Sequence, residues 1–247
     1  MEKADPQRRR REIAQLVLEQ GRVTVYEITE RFGVSSVTAR SDLEALASSG
    51  DLVRSHGGAV GPRRSPLLGT NHPARVPQAA LDLIGAGETI MMGSGPSALA
   101  LATLLCIDET HPRTVITYSL QIAACLSKAT HISLIMLGGV HRSGNFLGPS
   151  AEGMIKSLHA AQCFLNPPGV SARTGVTTLD IMEAHLNQKM IEAATQVTLI
   201  AESSSFGRCC LATVTDFQKI KCVICDQNAP ESELRLLREI GVDVVSV

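Results

Sequence analysis

Aromatic residues make up only 3% of the 247 residues, with two Tyr, five Phe and no Trp. Binding of single-stranded nucleic acid by base stacking needs exposed rings, so this composition argues against it. Net charge is nearly absent too: 23 Lys and Arg stand against 24 Asp and Glu, a formal −1. That balance gives no general attraction to nucleic acid or to a membrane surface, so any basic site has to be local. No run approaches the ~20 apolar residues that span a bilayer. The N-terminal stretch "MEKADPQRRRREIAQ" lacks the apolar centre of a signal peptide. A cytosolic protein with no membrane partner is expected. Cysteine does not occur before Cys106, and the seven present lie in apolar or mixed contexts. They are expected to be reduced thiols. Cys222 and Cys225 form a C-x-x-C inside "KCVICD", which reads as a buried strand. Positions three apart on a strand face opposite sides, and no second His or Cys pair stands nearby at zinc spacing. Core packing is expected for them, and no metal or cofactor.

What is present divides near residue 60. Hydrophobic residues reach 44%, enough for a sizeable core. Residues 1–60 are charged and helix-patterned. Residues 61–77, "GPRRSPLLGTNHPARVP", carry four Pro and no periodicity, and read as a linker. From 78 to 247 short apolar runs alternate with helical segments: 89–92, 114–118, 132–137, 162–165, 197–201, 222–226 and 242–247. That alternation predicts an α/β domain with a mostly parallel sheet covered by helices.

In the first sixty residues, Asp5 and Pro6 suit the start of a helix with Ile13, Leu16 and Val17 on one face, ending at Gly21. Thr24 and Glu27 form a T-x-x-E capping box for a short second helix with Ile28 and Phe32 inward, stopped at Gly33. Ser35 caps a third helix with Val37, Leu43 and Leu46 as its apolar side, ending near Gly50. Residues 51–60 then read as a strand, a Gly turn and a second strand. The whole is a winged helix-turn-helix. The third helix opens Ser35, Ser36, Val37, Thr38, Ala39, Arg40, with none of the acidic residues that suit a helix N-terminus. A recognition helix presents that end to the major groove. Small hydroxyls allow close approach, and Arg40 can reach a guanine edge or a phosphate. The alternative is a plain three-helix bundle, and charge does not exclude it: residues 1–60 hold nine basic and nine acidic side chains. The run Arg8 to Arg11 supplies phosphate contacts on the DNA-binding reading and a solvated face on the other.

These residues carry a resemblance. The run from Arg22 to Val60 resembles the DNA-binding domain of DeoR-type bacterial transcription regulators, through Val34, Ser35, Thr38, Ala39, Arg40, Asp42 and Leu43, then Leu52, Arg54, His56, Gly57, Gly58 and Ala59. Ser41 stands where the family pattern has a second basic residue. The resemblance implies a double-stranded operator as partner. Arg10, Arg11, Thr24, Ser35, Ser36, Thr38, Ala39, Arg40, Arg54, His56 and Gly57 are the candidate DNA contacts.

The larger domain carries a Gly/Ser loop, Gly93 to Ser97, between a strand and a helix. Such a loop and a helix N-terminus can bind phosphate, although many only connect elements. Residues 117–123, 137–144 and 201–208 also follow predicted strands, where ligands of open α/β sheets collect. This part is similar to the DeoR-family sensor domain. That resemblance implies a sugar-phosphate-isomerase fold, a sugar or sugar-phosphate effector, and a homodimer or homotetramer. The candidate effector residues are Gly93, Ser94, Gly95, Ser97, Ser119, Gly138, Gly139, Glu183, Glu202 and Ser205, which stand at positions of the family motifs, and Lys189, a cation that could supply charge. The departures gather there too: Met92, Pro96, Tyr118, Asn166, Glu202 and Ser205 replace family residues, the last of them a Lys. A weakly charged or unphosphorylated effector, or one of unusual shape, is expected. Arg142, Lys189 and Arg208 are the cations that can compensate.

Catalysis is not expected. Asp180 suits a helix cap, and Glu183 and His185, two apart, lie on different helical faces. No G-x-S-x-G or Cys–His nucleophile pattern occurs. A repressor of carbohydrate-metabolism genes is the function expected. The alternatives are a sugar-phosphate-converting enzyme with an appended DNA-binding domain, or a regulator whose sensor binds no ligand.

Overall fold

The computed structural model describes residues 9–10, 12–13, 16–17, 22–48, 52–55, 57–60 and 75–247. The chain forms two compact units, Met1–Leu68 and Gly69–Val247.

In the first unit, residues 9–10, 12–13 and 16–17 are helical, and Ile13, Leu16 and Val17 are buried as their spacing requires. Asp5, Pro6 and Gly21 lie outside the described residues. Strand β1 (Arg22–Thr24) was not anticipated and comes next. Helix α1 (Val25–Phe32) starts at a complete capping box. The Thr24 hydroxyl accepts from Glu27 N at 3.2 Å, and Glu27 Oε2 accepts from Thr24 N at 2.7 Å. Gly33 ends α1 in the left-handed region, φ 61°. Helix α2 (Ser36–Ser48) starts at Ser35, whose Oγ accepts from Thr38 N at 3.2 Å. Strands β2 (Val53–Ser55) and β3 (Gly58–Val60) form the wing. β1 joins it, giving an antiparallel sheet in the order β1-β3-β2. Ile13, Ile28, Ala39, Leu43, Leu52 and Ala59 build one apolar core across these elements.

The second unit opens earlier than the linker reading allows. Arg75, Val76 and Pro77, placed in the linker by composition, start helix α3 (Arg75–Leu81), and Val76 and Pro77 are buried. Proline is tolerated there because the first turn of a helix has no partner for its missing N–H. The seven apolar runs form seven strands: β4 (Thr89–Met92), β5 (Arg113–Thr117), β6 (Ile132–Met136), β9 (Ala160–Leu165), β12 (Ala194–Ala201), β14 (Cys222–Cys225) and β15 (Asp243–Ser246). They make one sheet, order β15-β14-β12-β9-β4-β5-β6, with every pairing parallel. Both faces are covered, so alternate residues enter opposite cores. Ile90 and Met92 pack with α3, α4 (Pro96–Ile107) and α5 (Leu120–Leu126); Met91 packs with α6 (Pro149–Ile155), α7 (Ile181–Ala193) and α8 (Glu231–Glu239). Cys222 and Cys225 divide the same way between the two cores. Burial pushes the Cys225 thiol up to about 11 and raises Cys222 as well. They are packing residues.

Two additions escaped the sequence reading. β7 (Val140–Arg142) and β8 (Asn145–Leu147) form a hairpin. β10 (Gly169–Ser171), β11 (Gly175–Thr178) and β13 (Ala212–Thr215) form a small antiparallel sheet. No helix among the described residues is long and apolar enough to cross a membrane.

Candidate functional site

The first unit presents the opening turn of α2. Ser35, Ser36 and Arg40 are exposed, Thr38 is half-buried, and the first turn contains no acidic residue. Arg40 has no carboxylate partner among the described residues. Val37 corrects an expectation. Its sequence position suits the apolar side of α2, but it is 72% exposed and stands among the hydroxyls. Helical periodicity explains the shift: Ala39, Leu43 and Leu46, at spacings of four and three, take the buried stripe. Ala39 is a second correction. It is fully buried in the core and cannot touch DNA. Its small side chain lets α2 sit close to its neighbours.

The arginine run is also partly internal. Arg9 Nε lies 2.6 Å from Asp42 Oδ2, and Arg10 Nε lies 2.9 Å from Asp42 Oδ1. Arg9 and Asp42 are buried, whereas the Arg10 side chain is 37% exposed. Burial opposes ionisation of Asp42. The hydrogen bonds and charges of Arg9 and Arg10 outweigh it and hold the carboxyl below the usual carboxylate range. Arg10 is therefore a structural partner of α2 before it is a phosphate contact. The Thr24 hydroxyl is likewise committed to Glu27, although exposed. Backbone places Arg54 on β2 and Gly57 at the wing turn, φ 78°. Arg11 and His56 lie outside the described residues.

The second unit has its own site. Gly93, Tyr118 and Asn166 directly follow β4, β5 and β9, three neighbours at the centre of the sheet. The chain order reverses direction between β4 and β9, and ligands of open α/β sheets bind at such a switch point. Gly93, Ser94, Tyr118, Asn166, Thr178 and Glu183 are among the lining residues. Glu183 is the hub. Its Oε1 accepts from Ser94 Oγ at 2.6 Å and Tyr118 OH at 2.9 Å, and its Oε2 accepts from Thr178 Oγ1 at 2.8 Å. Asp180 caps α7 through Met182 N and Glu183 N, which fixes where Glu183 emerges.

Tyr118 is fully buried. Its hydroxyl accepts from Ser94 N at 3.2 Å and lies 3.0 Å from the Asn187 side-chain amide. Burial and the adjacent Glu183 carboxylate raise the phenol well above its ordinary range, so it stays a proton donor. Asn166 fills the other end. Its Oδ1 accepts from Ser97 N at 2.9 Å, and its Nδ2 donates to Ile200 O at 2.7 Å. The space left between these groups is about 10 Å³, no more than one water requires, about 10–15 Å³ on this measure. Tyr118 and Asn166 were legible only as departures from a motif. Their hydrogen-bond partners lie 24 to 69 residues away.

The remaining candidates separate. Gly95 and Ser97 meet the site through Asn166. Ser119, Gly138, Gly139, Glu202 and Ser205 are not among the residues lining it. Ser119 starts α5 and pairs with Asn145, and Gly138 N donates to the Met154 sulfur. Ser205 is buried in a single 3-10 turn. Lys189 bonds Glu192 at 2.8 Å and lines a separate groove with Lys156 and His159. Arg142 pairs with Asp180 at 3.1 Å, and Arg208 is exposed away from the lining. Among the described residues, no Lys, Arg or His lines the Glu183 pocket. His185, two residues on, is exposed.

Residues 9–64 match the model of the DeoR-like helix-turn-helix domain, and residues 70–227 match that of the DeoR C terminal sensor domain. Among relatives, the chain is 33% identical over 253 residues to a putative aga operon transcriptional repressor of Escherichia coli O157:H7, covering 97% of this chain and 93% of that one. It is 28% identical over 250 residues to the uncharacterized HTH-type transcriptional regulator YulB of Bacillus subtilis strain 168, covering 97% and 96%. Identity is also 28%, over 246 residues, to the HTH-type transcriptional regulator UlaR of Shigella dysenteriae serotype 1, covering 95% and 96%. Two matched models spanning the two units, and a relative of this identity over nearly the full length, settle one point: the chain belongs to the DeoR family of transcription regulators.

Proposed function

We propose that this regulator represses a carbohydrate-metabolism operon from the cytoplasm, and that a sugar-class effector bound in the Glu183 pocket controls its hold on the operator. The observation that carries the reading is the opening of α2. It offers Ser35, Ser36, Val37 and Arg40 to solvent, Arg40 with no carboxylate partner among the described residues, and has no acidic side chain in its first turn. That surface suits close approach to a major groove and repels no phosphate. The sensor pocket supports the second half by its position at the switch point and its polyhydroxyl-accepting carboxylate, Glu183. The name of the aga operon relative supports a catabolic operon as the target.

Helix-turn-helix proteins bind paired half-sites as dimers, so a homodimer or homotetramer completes the proposal. An effector acts by binding the DNA-competent and incompetent states with different affinity. The test is a selection of preferred duplexes from a random pool. The reading predicts two related half-sites about one helical turn apart, or a multiple of it. Enrichment of no sequence would contradict it.

The closed pocket favours one second reading, a sensor that binds no ligand and transmits only protein abundance. Melting temperatures across a panel of sugars and sugar phosphates separate the two, because a ligand bound only by the native state raises the melting temperature.

A further inference from the structure

The Gly93–Ser97 loop leads into the N-terminus of α4, the kind of helix end whose N–H groups can bind an anion, yet the Ser97 N–H there is already taken. The Ser97 N–H, at the start of α4, points at Asn166 Oδ1, 2.9 Å away. That oxygen stands where an anionic oxygen would otherwise accept. The amide also presses against the loop: a Cβ built on Gly95, where φ is 126°, would lie 2.4 Å from the same oxygen. No room separates the loop from Asn166. The amide is anchored at its other end by Ile200 O, 2.7 Å from Nδ2, and Asn166 itself directly follows β9. Its position is fixed from both sides.

Charge points the same way. Among the described residues, the lining contains one carboxylate, Glu183, and no Lys, Arg or His. Two of the cations that could compensate are engaged elsewhere, Arg142 with Asp180 and Lys189 with Glu192. A phosphate dianion entering this space would meet a like charge without a counter-ion, and desolvation there is costly. Neutral hydroxyls would not. The Tyr118 hydroxyl already shows what suits Glu183 and the Ser94 N–H in that position: one uncharged O–H, donating to the carboxylate and accepting from the backbone N–H.

We propose that Asn166 is the specificity-determining residue of this sensor, that it bars phosphate and phosphate esters from the Gly93–Ser97 loop, and that the effector is an unphosphorylated polyhydroxy compound. This rests on the reading of the pocket as an effector site. Asn166 acts as a built-in neutral ligand for the Ser97 N–H, and a compound that enters competes with the Tyr118 hydroxyl, not with Asn166.

The test uses the full chain, with inorganic phosphate and glucose 6-phosphate as probes. In the wild-type protein, the Ser97 amide resonance stays in place on titration with either probe, and the melting temperature does not rise. In Asn166→Ala the N–H is released. Phosphate then binds about tenfold to a hundredfold more tightly than to wild type, the effect of one hydrogen bond to a charged acceptor, and the Ser97 resonance moves. A wild-type Ser97 resonance that moves with phosphate overturns the proposal, and this needs no variant to fold. A folded Asn166→Ala protein as blind to phosphate as wild type overturns it too. The regulatory reading fails on a different readout. If glucose 6-phosphate binds at Ser97 and also releases operator DNA, the reading stands and the proposal falls. If no duplex is preferred, the reading falls, whatever phosphate does.

Discussion

Arg9 Nε lies 2.6 Å from Asp42 Oδ2, with both side chains withdrawn from solvent, and Arg10 Nε holds the other oxygen at 2.9 Å. The pair ties the first helical stretch to the helix proposed to read DNA, 33 residues later. Removing the carboxylate would leave Arg9 buried beside a lost counter-charge. Asp42→Ala is expected to destabilise the N-terminal unit by about 3–5 kcal/mol, the usual effect of breaking a buried pair from one side. Urea unfolding followed by amide exchange at Leu43 and Leu46 measures it. A change under about 1 kcal/mol would place the pair in the class of exposed salt bridges.

The same carboxylate sets a pH dependence. Its folded-state pKa is lowered, with burial outweighed by the two arginines. Its contribution is therefore complete above the unfolded value, about 3.9, and is lost as pH falls through the lowered folded value. The stability difference between wild type and Asp42→Asn should be constant near neutrality and shrink below about pH 4. A difference that holds to the acid limit would deny the ionised state of Asp42.

The wing distinguishes two neighbouring glycines. Gly57 has φ 78° and open space around a built Cβ, whereas a Cβ on Gly58 would lie 2.2 Å from Val23 O. Gly57→Ala should cost about 1–2 kcal/mol, the strain of a left-handed alanine. Gly58→Ala should cost more, because β1 and β3 have to part. Comparing the two melting curves decides it, and equal effects would count against the β1–β3 pairing.

In the sensor unit, Tyr118→Phe removes one hydroxyl and leaves Ser94 N–H and Glu183 each short of a partner. A loss of about 1–3 kcal/mol is expected, as for an unsatisfied buried polar group. Calorimetry of the full chain reads it, and an unchanged transition would mean that water replaces the phenol oxygen.

Arg40 gives the direct functional prediction. Arg40→Ala should weaken specific DNA binding by about 1–3 kcal/mol and relax preference at one base pair if the guanidinium reads a base. Anisotropy titrations against preferred and scrambled duplexes give both quantities. An unchanged specificity ratio with a smaller salt slope would reassign Arg40 to a phosphate.

The legible parts share a cause. The inner strands of the parallel sheet stood out because they are covered on both faces, which makes them continuous apolar runs such as "TIMM" and "CVIC"; the edge strand β15, largely exposed, stood out by its Val-rich sequence alone. The capping box at Thr24 and Glu27 was legible because its chemistry is local. Val37 was misassigned because one apolar residue near a helix start fits either face, and the stripe is fixed only by Ala39, Leu43 and Leu46 packing in the core. The internal use of Arg9 and Arg10, and the closure of the pocket by Asn166 and Tyr118, rest on contacts between distant residues. No local pattern encodes those.

Operator reading by α2 under the control of the sensor pocket is tested by a gel-shift titration, using DNA from upstream of the protein's own gene, scrambled competitor, two salt concentrations, and a panel of sugars with their phosphates. Sequence-selective binding that survives competitor and is released by one unphosphorylated member of the panel is expected. Weak, unselective binding that collapses with salt would mean phosphate contact alone, and would contradict it.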